Sequence, residues 1–195
     1  MRETIEITIE YLKGLIQVNS PIVGVLAGMS VIIVESIIPV LPLAVFIAVN
    51  MLVFGNVTGF IISYVGTILG CLLSFTIFRK GFSKILYNKI KDKNNIKTIM
   101  NNITNVKFTT LVLITALPFT PAFSVNIGAG LSKISYRKFM AAMVVSKVSI
   151  IYFWGFVGTT LIESITDIRV LIELGLLLLG AYILSTFVNK KFKIE

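Results

Sequence analysis

Ala116-Leu117-Pro118-Phe119-Thr120-Pro121 stands in the middle of an uncharged apolar stretch, with Asn126 shortly beyond it. Proline lacks an amide donor and its ring disrupts a helix, so this Pro-x-x-Pro frees backbone polar groups. Hydrocarbon tolerates such groups only where protein or a water-filled cavity covers them. The arms on either side, 108–117 and 122–131, each run to about ten residues, or roughly 15 Å, half of a bilayer core. Charge decides between crossing and return. Residues 79–107 carry Arg79, Lys80, Lys84, Lys89, Lys91, Lys93, Lys97 and Lys107 against Asp92 alone, which makes this segment cytoplasmic by the positive-inside rule. A full crossing over 108–131 would send Lys133, Arg137, Lys138 and the tail lysines Lys190, Lys191 and Lys193 outside. A return keeps them all inside. Residues 108–131 therefore read as a re-entrant hairpin open to the cytoplasm.

The same device occurs earlier, as Glu35-Ser36-Ile37-Ile38-Pro39-Val40-Leu41-Pro42 with Asn50 downstream. If the helix at 57–78 runs from outside to inside, this first segment, 20–54, must end outside at the uncharged link Gly55-Asn56-Val57-Thr58. Its second arm, 43–54, reaches only about 18 Å, short for a crossing. A re-entrant hairpin open to the outside fits; a pair of tilted spans is the alternative. Residues 139–160 and 170–189 complete the spans, and 161–169, with Glu163, Asp167 and Arg169, suits the outer face. Residues 1–18 read as an amphipathic helix on the membrane surface. The expected architecture is one all-α integral membrane domain. Two oppositely oriented re-entrant hairpins form an inverted repeat around a midplane site, with about three spanning helices beside them.

Composition supports membrane residence. Mean hydropathy is +0.94, 56% of residues are hydrophobic and 14% are charged. From Gly14 to Phe78 the sole formal charge is Glu35, in a stretch far longer than the roughly 20 apolar residues one helix needs. The start has no basic region, short apolar core and small-residue cleavage site, so no removable signal peptide is expected. Cys71 is the single cysteine and there is no histidine. An intrachain disulfide, a histidine-bearing metal site and a Ser-His-Asp triad are thereby excluded. No metal or other cofactor is expected, and no enzyme activity.

With these segments placed, the chain resembles the DedA family, also called the SNARE-associated Golgi protein or VTT-domain family. The matching features are Glu35 with Pro39 and Pro42, Phe54-Gly55, Gly59, Gly66 and Gly70. In the second half they are Leu117-Pro118-Phe119-Thr120-Pro121, Val125-Asn126, Gly130-Leu131 and Phe139. The wording of the second half is similar to the compact bacterial branch related to yeast Tvp proteins. The resemblance covers about residues 20–165. It implies paired re-entrant hairpins and lipid translocation: flipping or scrambling of phospholipids, or recycling of polyprenyl-phosphate carriers. Many members carry an arginine shortly before the second proline pair, where this chain has Thr115 and Ala116. Many also have a second acid after the first pair, where this chain offers neutral residues such as Asn50. Strict proton coupling and tight phosphate gripping therefore do not follow from the resemblance.

The expected transport path comprises Glu35, Pro39, Pro42, Asn50, Pro118, Pro121, Asn126 and Lys147. An intramembrane carboxylate costs a few kcal/mol to insert, so Glu35 is expected to face a cavity or partner; its structural alternative is to pin the proline turn. Lys147 has three outcomes open: pairing with Glu35, meeting a lipid phosphate, or snorkelling to the cytoplasmic interface. The four prolines shape the hairpin tips. Asn50 and Asn126 cap freed backbone groups or contact a head group. Helices that begin just after a break aim N–H groups and a positive dipole end at the midplane, which suits a phosphate. Gly59, Ser63, Gly66, Gly70 and Ser74 share one helix face suited to close packing. Trp154 and Tyr152 are expected to pack near the outer part of their helix.

The leading expectation is a lipid flippase or scramblase of the bacterial plasma membrane, with membrane lipids as partners, protons or sodium as coupling ions, and a homodimer as an assembly option. The basic segment reads as a topological anchor, with no nucleic-acid partner. Two rival classes remain: an ion-coupled transporter of a small solute or drug, and a scaffold that assists assembly of other membrane proteins.

Overall fold

A computed structural model describes residues 21–38, 43–81, 103–120, 122–164 and 167–192. The expected surface helix at 1–18, the tip prolines Pro39, Pro42 and Pro121, and most of the basic segment lie outside the described residues. Those residues are helical throughout their regular structure: α1 Pro21–Ile37, α2 Leu43–Phe54, α3 Asn56–Thr76 with a π-helical turn Ile77–Gly81, α4 Phe108–Ala116, α5 Ala122–Leu131, α6 Tyr136–Glu163 and α7 Ile168–Phe192.

Length sorts these helices into two groups. Three apolar helices are long enough to cross a membrane: Asn56–Gly81, Tyr136–Ile162 and Ile168–Lys191, with 26, 27 and 24 residues. At 1.5 Å per residue they reach roughly 36–40 Å, against about 30 Å of hydrocarbon. The sequence analysis expected these three spans. The other four are shorter, at 17, 12, 9 and 10 residues, and they come in pairs flanking the two proline motifs. Proline disfavours helical geometry in the residue before it. Leu117, ahead of Pro118, accordingly takes an extended conformation, with ψ of 135°, and ends α4.

Glycine sets the sharpest reversal. Gly55 has φ of +82°, the left-handed region that side chains disfavour, and it alone separates α2 from α3. The chain thus folds back at once, and α2 runs antiparallel to α3. The small-residue face of α3 receives α1 and α2. A Cβ on Gly59 would lie 2.4 Å from the Asn50 carbonyl oxygen, and one on Gly70 would lie 2.5 Å from Ser36 Cβ. Gly66 abuts Met29 and Ile32, so α1 runs in the same direction as α3. Gly28 in turn faces Asn50 and Phe54. The start of α1 and the end of α2 therefore lie together, at the Gly55 end of the molecule.

The α4–α5 pair meets the opposite end of α3. Lys133 N–H donates to Thr104 Oγ1 at 3.1 Å, which brings the chain before α4 beside the chain after α5. Lys138 Nζ donates to the Val106 carbonyl. Arg79, in the π-helical turn, fastens this end. Its guanidinium donates to the carbonyls of Ala129, Gly130, Ser132 and Ile134 at 3.0, 3.2, 2.7 and 2.8 Å. The same group lies 4.4 Å from the Phe75 ring centre, which stacks in turn on Phe139. Carbonyls left over at a helix C-terminus need donors, and Arg79 supplies them for α5. Ser135 then caps α6, its Oγ accepting from Lys138 N–H.

The larger core cluster joins α3, α4, α5 and α6 around Phe75, Leu111, Ile114, Val125, Ala129, Phe139 and Met143. A second cluster, Ile47, Met51, Ile150 and Ile151, joins α2 to α6. Helix α7 is peripheral, with most of its apolar side chains exposed.

Candidate functional site

The two short helix pairs meet at one cavity of about 530 Å³. The end of α1 contributes Glu35 and Ser36, and the first turn of α2 contributes Leu43 and Ala44. Helix α3 supplies Thr67 and Cys71. The α4–α5 turn supplies Pro118, Phe119 and Thr120, and α5 adds Phe123, Ser124 and Asn126. Lys147, Ile150 and Trp154 come from α6. Both chain breaks thus reach the same space, from opposite ends of the molecule.

Lys147 is 1% exposed and half-way along α6. It does not snorkel. Among the described residues it neither donates a hydrogen bond nor forms a direct ion pair, yet its charge acts on the carboxylate of half-buried Glu35. A buried charge is costly unless partnered, so this cavity holds an acid and a base that are near but unjoined. The first turns of α2 and α5 also line it, and helix N-termini carry unpaired N–H groups and partial positive charge.

The asparagines divide. Asn50 Nδ2 donates to Ser63 Oγ at 3.1 Å, a buried bond that pins α2 to α3. Among the described residues it caps no backbone group, and it is not in the cavity lining. Asn126 does line it; Nδ2 makes a long 3.6 Å contact with Cys71 Sγ, and Oδ1 has no donor among the described residues. An unsatisfied buried acceptor costs about 1–3 kcal/mol, and Asn126 Oδ1 is placed to accept from something that enters. Thr120 Oγ1 donates to Asn189 Oδ1 at 3.2 Å, tying the second break to α7.

Of the expected path residues, Glu35, Pro118, Asn126 and Lys147 share the cavity, Asn50 sits apart, and Pro39, Pro42 and Pro121 lie outside the described residues. Trp154 lies in the later part of α6, towards Glu163. Its ring meets Phe119 edge-on at 5.5 Å and walls the cavity. Tyr152, on another face, is largely exposed. The Phe119–Trp154 contact was not legible, because spacing along α6 does not say which face meets a turn 35 residues upstream.

These features define a polytopic helical membrane protein with a partly open cavity, lined by Glu35 and Lys147 among mostly apolar surface, between two helix breaks. Its sequence matches the VTT domain over residues 39–160, and the chain belongs to the VTT-domain, or DedA, family. It is similar to the uncharacterized membrane protein YhjE of Bacillus subtilis (strain 168), with 33% identity over 164 residues, covering 83% of this chain and 77% of YhjE. It is also similar to the uncharacterized protein YqeD of the same organism, with 28% identity over 125 residues, covering 64% of this chain and 60% of YqeD. No solved structure matches it.

Proposed function

We propose that this protein moves phospholipids or polyprenyl-phosphate lipids across the bacterial plasma membrane, as a flippase or scramblase without enzyme activity. The observation that carries the reading is Lys147, buried and unpaired in a cavity that both helix breaks reach. In this reading each short helix pair is a re-entrant hairpin, α1–α2 entering from outside and α4–α5 from the cytoplasm. They form an inverted pair, and their tips meet near the midplane. A phosphate head group passes the cavity beside Lys147 and the two helix N-termini, while its acyl chains stay in lipid. Glu35 offsets the cation when the cavity is empty, and protons or sodium are the candidate coupling ions. The basic segment and the C-terminus face the cytoplasm.

The test is a fluorescent-lipid translocation assay in liposomes holding purified protein, run with several phospholipids and a polyprenyl phosphate. The reading expects head groups to cross in protein-bearing vesicles well above protein-free ones. No movement of any of these lipids would overturn it and direct attention to solute transport or assembly.

A further inference from the structure

A second cavity, of about 470 Å³, lies between α3 and α6 on the membrane-facing side, towards the Gly55 end. Where α3 and α6 close on one another, Tyr64 Oη donates to the Val144 carbonyl at 2.8 Å and Phe75 stacks on Phe139. Towards the Gly55 end the two helices leave a cleft. Phe60 and Ile61 line one wall, Phe156 and Thr159 the other, and Met51 of α2 forms the floor. Gly155 makes room for that floor, since a Cβ there would lie 2.2 Å from Met51 Sδ.

We propose that this cleft holds one acyl chain of a lipid from the leaflet at the Gly55 end. Its volume falls in the range of ligand sites, about 300–1,000 Å³, and no charged side chain lines it. The Thr159 hydroxyl is already spent on the Gly155 carbonyl at 2.9 Å. Asn56 and Tyr152 are the other polar side chains at its edge, but the lining surface is predominantly apolar, whereas water needs two to four polar partners to occupy a cavity. An empty apolar cleft forfeits the dispersion contacts of its walls. At this depth the surrounding solvent is hydrocarbon. The stretch of α6 from Tyr152 to its end at Glu163 rises about 16 Å, half of the bilayer core, which is the depth of one leaflet. Ile61 and Phe156 are exposed at the mouth, so a chain enters sideways from the bilayer. The cluster of Ile47, Met51, Ile150 and Ile151 separates this cleft from the Lys147 cavity. The assignment therefore needs α3 and α6 in the bilayer but does not depend on lipid transport through the central site.

The protein is placed in nanodiscs containing phosphatidylcholine with a diazirine in one acyl chain, irradiated, and mapped by peptide mass spectrometry. Adducts are expected on Met51 and Phe60 at a yield several-fold above that of the open α7 side chains Leu176, Leu179 and Ile183. Thr159→Trp, which fills the cleft, is expected to cut the Met51 and Phe60 adducts several-fold and leave the α7 adducts unchanged. Ile61→Trp fills it from the other wall and should do the same, which covers a failure of either variant to fold. Labelling that follows exposure alone, strongest on α7, overturns the proposal, as does unchanged Met51 and Phe60 labelling in well-folded filled variants.

Discussion

Glu35 and Lys147 line one cavity, an acid and a base on separate helices, and they form no direct ion pair. A lysine near the middle of a membrane helix costs about 2.5–3.5 kcal/mol on insertion scales, and nothing among the described residues recovers that through a hydrogen bond to its ammonium. On the proposed reading its role is to meet a head group rather than to add stability. Lys147→Met, which preserves the length of the stem, should therefore leave the thermal midpoint in detergent unchanged or raise it. A marked fall would mean that Lys147 holds the fold together.

Arg79 is the opposite case, a charge with four of its five N–H donors bonded. Four carbonyls and the Phe75 ring surround it. Arg79→Ala should destabilise the protein by roughly 2–4 kcal/mol, since hydrogen bonds to charged groups are individually worth about 1.5–3 kcal/mol. Arg79→Lys should recover little, because an ammonium does not reproduce the planar fork. Thermal unfolding in detergent measures both, and full rescue by lysine would contradict the capping role.

Asn50 and Ser63 join the first helix pair to α3 through one buried hydrogen bond. Interhelical bonds of this kind average about 0.6 kcal/mol and reach about 1.7 in double-mutant cycles. A cycle with Asn50→Ala and Ser63→Ala should return a coupling in that range. Additive effects would show that the bond is absent in the bilayer.

Glycines of α3 and α7 should answer differently to one added methyl. At Gly59 it meets Asn50 and Met51 backbone within 2.6 Å, whereas at Gly175 nothing lies within 4 Å. Gly59→Ala is expected to cost about 1–3 kcal/mol by overpacking, and Gly175→Ala to be neutral or stabilising by up to about 1 kcal/mol through helix propensity. Unfolding midpoints of the two variants, read side by side, check the packing direction of α1 and α2.

Much of the fold was legible because hydrocarbon leaves few options. Length and hydropathy marked spans at 57–78, 139–160 and 170–189, and each falls within one of the long apolar helices Asn56–Gly81, Tyr136–Ile162 and Ile168–Lys191. The spacing of Gly59, Ser63, Gly66, Gly70 and Ser74 marked the packed face of α3, and all five are buried. Partner choice was less legible. Asn50 read as a backbone cap or a head-group contact, and the reversal at Gly55 lays it against Ser63, a side-chain partner 13 residues on that local spacing does not single out. Arg79 read only as topological charge, since a helix C-terminus 50 residues further on gives no local sign of which cation will cap it. Lys147 was left between pairing, binding and snorkelling, because an eight-residue offset from Phe139 fixes its depth but not the face it presents.

The most direct measurement compares lipid translocation by wild type and Lys147→Met in the same liposomes, with Gly175→Ala as a matched control. The account predicts translocation by wild type and the control, and loss of at least about tenfold, or 1.4 kcal/mol in the barrier, in Lys147→Met at equal protein incorporation. Wild-type rates in a correctly incorporated Lys147→Met protein would contradict the claim that the head group passes the central cavity beside this lysine.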